Sequence, residues 1–142
     1  MEQEKPDTVG NAAALLEAAW QLSVSSLQLL VMLDVVHDWD RGDAIEVGVS
    51  ASQTETMTRS VESAHLQPGR SELERMLRTL DTVVLRAERL ARLAPAQARD
   101  DASGGAMASA LRRLAVASDE LRGQLAATAF SALPDPDPAS SA

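Results

Sequence analysis

Residues 71–94 read SELERMLRTLDTVVLRAERLARLA. Within them Leu73, Met76, Leu80, Val83, Ala87 and Leu90 recur three and four apart, and Leu77, Val84 and Ala91 widen the stripe. That spacing returns each side chain to one face of a helix with about 3.6 residues per turn. Arg75, Arg78, Arg86 and Arg89 fall on the opposite face. The pattern predicts an amphipathic helix over residues 72–94, whose apolar stripe needs other elements to cover it. Ser71 precedes Glu74 at capping-box spacing, and Pro95 ends or kinks the helix. Glu74 with Arg78, and Glu88 with Arg92, are expected to support it by about 0.2–0.5 kcal/mol per pair.

Toward the C-terminus, Asp100, Asp101, Ser103, Gly104 and Gly105 mark residues 96–105 as a loop. Met107, Leu111, Leu114, Leu121 and Leu125 then hold a heptad-like seam, predicting a helix over 106–133. Ala110, Ala117 and Ala126 would let a neighbouring helix come close. Pro134, Pro136 and Pro138 stop it, and a disordered Pro/Ser/Ala tail is expected over 134–142.

Toward the N-terminus, Gln67-Pro68-Gly69 is a break. The segment before it is ambiguous. Ile45, Val47 and Val49 alternate as in a strand, whereas Ile45, Val49, Met57 and Val61 repeat at helical spacing. A lone strand would have no partner in this chain, so a helix over 43–66 is expected. The turn before it, Asp38-Trp39-Asp40-Arg41-Gly42-Asp43, offers Gly42 as a left-handed helix stop and Asp43 as a cap.

A first helix is expected over 11–38, with residues 1–10 frayed. At about 100° per residue, Glu17, Gln21, Ser25 and Gln28 share one narrow strip. Leu15, Leu16, Ala19, Trp20, Leu22, Leu27, Leu29, Leu30, Val31 and Leu33 take most of the remaining circumference. A helix apolar nearly all round needs burial nearly all round, more than one small domain supplies. Packing on a second subunit or on a partner protein helix is therefore expected, with Trp20, Leu27, Leu30, Val31, Leu111 and Leu114 as interface residues. The apolar stretch from 18 to 33 reads as too short and too polar for a membrane span.

These segments add up to an all-α fold: a four-helix, mostly antiparallel bundle over 11–133. Composition agrees. Of 142 residues 45% are hydrophobic, yet there is one Phe, no Tyr and no Cys, so Ala and Leu supply the core. The absence of cysteine excludes disulfides and thiolate chemistry and fits a cytoplasmic location. The Ala/Arg/Asp bias suggests a GC-rich, bacterial genome. The net charge of −8 argues against nucleic acid. It is uneven, since residues 1–69 carry 3 basic and 11 acidic groups.

Chemistry-bearing groups are few. Asp34, His37 and Asp38 share a helix face and are the candidate metal cluster, although no second ligand helix accompanies them. The loop from Asp38 fails a calcium-binding pattern, which wants Gly where Asp43 stands and Glu where Val49 stands. Arg41-Gly42-Asp43 resembles an integrin-binding tripeptide. Leu77-Arg78, Leu80-Asp81 and Arg89 resemble the first helix of helical chorismate mutases. Those enzymes place a lysine in the site, and Lys5 is the only lysine here. Residues 27–46, where an apolar helix ends at Asp38-Trp39-Asp40, resemble the start of flagellar export chaperones, a class of small helical binding proteins. The expected function is non-enzymatic protein–protein interaction, as an adaptor, export chaperone, anti-activator or immunity-type binder, without cofactor or metal. The alternative is a metal-binding or carboxylate-dependent enzyme built on Asp34, His37 and Asp38.

Overall fold

The computed structural model describes residues 4–36, 38–64, 66 and 68–132, with side chains from Ala12 to Thr128. Four helices pack against one another: α1 Glu4–Val35, α2 Arg41–Ala64, α3 Arg70–Gln97 and α4 Asp101–Ala132. Residues 134–142, read as a tail, lie outside the described residues.

The four helices match the sequence reading, with several ends displaced by a few residues for local reasons. α1 starts at Glu4, so residues 4–10 are helical rather than frayed. Pro6 falls in the first turn, where backbone N–H groups have no intrahelical partner to lose. α1 stops at Val35 because Trp39 caps it. The indole Nε1–H donates to the carbonyls of Leu33 (2.9 Å) and Val36 (2.8 Å). Asp40, and not Asp43, caps α2. The Asp43 N–H donates to Asp40 Oδ1 and the Asp40 N–H to Asp43 Oδ2, both at 2.9 Å. Gly42 is an ordinary first-turn residue of α2, not a left-handed stop.

At α3 the capping glutamate is Glu72, which accepts the Gly69 N–H at 3.2 Å, while Glu74 meets Arg70 rather than Arg78. α3 continues through Pro95 to Gln97, where Ala98 N–H bonds the Ala94 carbonyl. A proline this near the end removes one bond of the ladder. The expected 96–105 loop shrinks to residues 98–100. Asp100 accepts the Ser103 N–H at 2.7 Å and nucleates α4, so Gly104 and Gly105 lie inside the helix near its start. Gly104 lies against α3, where a Cβ would come 3.4 Å from Pro95 Cα, a close but ordinary contact.

The ambiguous segment is helical for a reason visible in its burial. Ala44, Val47, Ala51, Thr54 and Val61 point inward at helical spacing. Ile45 and Val49, expected on the packed face, are 62% and 51% exposed.

The core has two parts. One unites Leu30 and Leu33 of α1, Trp39, Ala44, Val47 and Ala51 of α2, Val83 to Ala94 of α3, and Met107 to Ala115 of α4. The other joins Ala19, Val61, Leu66, Met76, Leu80, Leu121 and Leu125. Chain order therefore alternates: α1 and α3 meet the second cluster first, α2 and α4 the first. α4 lies closely along both α2 and α3, whereas α1 rests less closely on α2 and α3.

Between the clusters, α1, α2 and α4 bury hydroxyls in place of hydrocarbon. Ser23, Ser26, Ser50, Thr54 and Ser118 are all buried. Ser26 and Ser50 bond each other at 2.7 Å across α1 and α2. Ser23 and Thr54 bond carbonyls four residues back, at 2.8 Å each. The Ser118 hydroxyl has no partner among the described residues.

Candidate docking surface

Helix register decides which apolar side chains of α1 remain outside. Its inward positions are Ala19, Ser23, Ser26, Leu30 and Leu33, spaced three and four apart. With two serines in that stripe, larger apolar groups are left on the flanks and back. Val31, Met32, Val35 and Val36 are exposed, Val35 to 70%. Just beyond the turn, Ile45 and Val49 stand one helical turn apart on the outside of α2. Six of the nine exposed large apolar side chains among the described residues thus lie between positions 31 and 49. Scattered apolar residues are normal on a surface, whereas these six belong to the end of α1 and the start of α2, on either side of one turn.

Trp39 ties this end of α1 to the α3–α4 turn. It is 1% exposed. Its N–H donates to the Gln97 carbonyl and its own carbonyl accepts the Arg99 N–H, both at 3.0 Å, so the α1–α2 and α3–α4 turns form a short parallel bridge. Asp38 and Arg99 close the bridge outside at 3.0 Å.

Ion pairs tie the neighbouring helices together. Asp34 accepts from Arg89 at 2.7 Å and Arg86 at 3.4 Å, and Arg75 stacks 5.6 Å above the Trp20 ring. Part of the arginine face of α3 is thus occupied by α1. Arg113 of α4 grips Glu55 of α2, and Arg122 reaches Asp81 of α3 and Asp119.

Three carboxyls are held below their ordinary range. Asp40 is lowered mainly by the Asp43 backbone N–H, Asp100 by the Ser103 N–H, and Glu55 by the Arg113 guanidinium. Depressed values mean stability that is fully present above the unfolded pKa and lost as pH falls through the folded one. The ordinary aspartate value is 3.8. Circular-dichroism melts should therefore show a stable plateau above about pH 5 and a falling Tm below about pH 4. The Asp40→Asn/Asp100→Asn variant, whose side chains cannot ionise, should show a shallower fall. An equally steep fall would exclude these caps as its source.

Of the six expected interface residues, the structure leaves one on the surface. Leu30, Leu111 and Leu114 are fully buried in the chain's own core, because they occupy the central inward positions of α1 and α4. Trp20 and Leu27 are half-buried, packed on the second and first clusters. Val31 is outside. Met32, Val35, Val36, Ile45 and Val49 were not singled out. Their signal was the buried serine pair: Ser23 and Ser26 share the stripe of Leu30 and Leu33, which turns the valines outward.

The proposed metal cluster is not assembled by the described residues. Asp34 is engaged by Arg86 and Arg89, and Asp38 by Arg99. His37 lies outside the described residues. Among them, no three His, Cys, Asp or Glu side chains converge as metal ligands would. The RGD tripeptide is absorbed into helix initiation, since Asp43 accepts the Asp40 N–H.

By length and composition α1 can cross a membrane over Ala12–Val35, a longer stretch than the sequence reading gave, and 28% of it is buried in the bundle. Between α1 and α2 a shallow groove of about 430 Å³ is lined by Leu22, Gln53, Thr56 and Met57.

Fold and surface together define a four-helix bundle with an apolar corner. No protein-family model, curated protein or solved structure matches the chain.

Proposed function

We propose that the chain is a non-enzymatic protein–protein interaction protein of the adaptor, export-chaperone, anti-activator or immunity type, which docks through the α1–α2 corner and pairs with a second copy there. The observation that carries this reading is the exposure of Val31, Met32, Val35 and Val36 at the end of α1 and of Ile45 and Val49 at the start of α2, on either side of one turn. Burying such side chains against a partner helix is worth about 1.5–3 kcal/mol for each one fully covered. The Trp39 bridge joins this surface to the α3–α4 turn, and a surface tied before docking loses less entropy on binding. A cytoplasmic location and the absence of cofactor belong to the same proposal.

Light scattering over a concentration series tests it. The wild type is expected to reach dimer mass. The Met32→Glu/Val35→Glu/Ile45→Glu variant, altered only at exposed positions, should remain folded and dissociate at least about tenfold more readily, which corresponds to about 1.4 kcal/mol. A wild type that stays monomeric throughout, or a variant that dimerises as well as the wild type, would exclude this mode.

A further inference from the structure

Of the twelve largest fully buried side chains, α4 supplies five (Met107, Leu111, Leu114, Leu121 and Leu125) and each other helix one or two, but α1 lies less closely on its neighbours than α2 and α3 lie on α4. The middle of the α1 interface is hydroxyl: Ser23 is turned onto its own helix, and Ser26 bonds Ser50. Water can replace such a hydrogen bond with little net loss, whereas nothing in water replaces an apolar contact. Outside the belt its apolar ties are Leu30 and Leu33 on the first cluster and Ala19, with half-buried Leu15, Leu16 and Trp20, on the second. Its polar ties sit near the surface: the Asp34 pairs with Arg86 and Arg89, about one-third exposed on the aspartate side, and the Arg75–Trp20 stack. The α2–α4 and α3–α4 interfaces are built differently. Helices lie closely together, Gly104 meets Pro95 backbone to backbone, and leucines fill the seam.

Among the described residues, only the C-terminal end of α1 is tied by hydrogen bonds to the bridge between the turns. Trp39 donates to the carbonyls of Leu33 and Val36, and Trp39 is itself bridged to Gln97 and Arg99. The bridge belongs to the α2–α4 unit, because its other strand is the α3–α4 turn.

We propose that α1 opens from the bundle as one cooperative unit, pivoting at the Trp39 bridge, while α2, α3 and α4 stay packed. The weak point is the hydroxyl belt. Opening uncovers the inward apolar edge of α1 together with the surfaces of α2 and α3 on which it rests. The fold therefore contains a helix that can be released without unfolding the rest.

Native-state hydrogen exchange, read by mass spectrometry on the full chain, tests this. Peptides covering residues 12–33 are expected to share one exchange rate, about 100-fold or more above that of peptides covering 107–125. The variant Leu114→Ala separates local from global opening. Leu114 is a core residue of α4, which lies along α2 and α3, so the helices that mainly surround it stay packed when α1 opens. The variant should accelerate exchange over 107–125 on the order of 100-fold, while changing that over 12–33 by less than about threefold. Leu114→Val gives the same contrast with smaller amplitude should the alanine variant not fold. Equal acceleration of both regions would show a single cooperative unit and overturn the proposal. A smooth gradient of rates rising from residue 33 toward residue 12 would show simple end-fraying and overturn it as well.

Discussion

Replacing Trp39 with alanine is expected to lower the unfolding free energy by about 3–5 kcal/mol, the range for removing a large buried aromatic side chain. Its indole is fully enclosed and packs with Leu30, Leu33, Val47, Ala94 and Met107 as part of the larger core cluster. The same side chain is the C-terminal cap of α1, so its removal also leaves the Leu33 and Val36 carbonyls without the indole donor. In a domain of this size the loss corresponds to a drop in Tm on the order of 10 °C or more. Trp39→Phe separates the two contributions. It keeps much of the volume and removes the N–H, so a loss of about 1–3 kcal/mol is expected, the cost of stranding buried polar groups. Chemical denaturation followed by circular dichroism measures both. A loss below about 1 kcal/mol for the alanine variant would be incompatible with Trp39 as the joint of the two turns.

Leu114→Ala is expected to be the second most damaging of the substitutions considered, at about 2–5 kcal/mol. Leu114 is completely enclosed at the centre of the α4 seam, in the cluster shared with α2 and α3. Such close packing leaves little freedom to collapse around a missing side chain, which places the effect toward the upper part of that range. Val31→Ala supplies the contrast. Val31 is 41% exposed, and its truncation should change stability by no more than about 0.5 kcal/mol. The two residues looked equivalent as interface candidates in the sequence. Thermal and denaturant unfolding of both variants distinguishes a core position from a docking position, and comparable losses would contradict the assigned register of α1 and α4.

That pair of leucine and valine shows where sequence patterning reaches its limit. Helical spacing over 71–94 located α3 and its buried face correctly, because a stripe of Leu, Met and Val opposite Arg has only one sensible inside. In α1 almost every direction is apolar, so hydropathy assigns no inside. The inward stripe is decided by fit. Serine at positions 23 and 26 lets α1 sit on α2, and the Ser26–Ser50 hydroxyl pair satisfies both groups without water. In α2 the error took another form. Ile45 and Val49 are the more hydrophobic choice for a buried face, yet Ala44, Val47 and Ala51 are inside, because a helix lying close to α4 needs small residues at the contact. The sequence placed Arg75, Arg78, Arg86 and Arg89 opposite the apolar stripe of α3 without naming what they meet. Arg86, Arg89 and Arg75 receive Asp34 and Trp20 of α1, a match between residues more than fifty positions apart that no local pattern encodes.

What the amino-acid sequence determined alone was the class of structure: four helical segments, no disulfide, an Ala- and Leu-filled interior and breaks near residues 40, 68 and 100. These follow from backbone propensity and from three- and four-residue periodicity, which are local properties. Tertiary structure alone decided the helix ends, the division of the core by buried hydroxyls, the Trp39 bridge and the apolar corner at 31–49. Each of these depends on which groups remain unsatisfied or uncovered after distant segments have packed. Hydrogen-bond satisfaction and close packing are properties of the assembled interior, not of any stretch of chain taken separately.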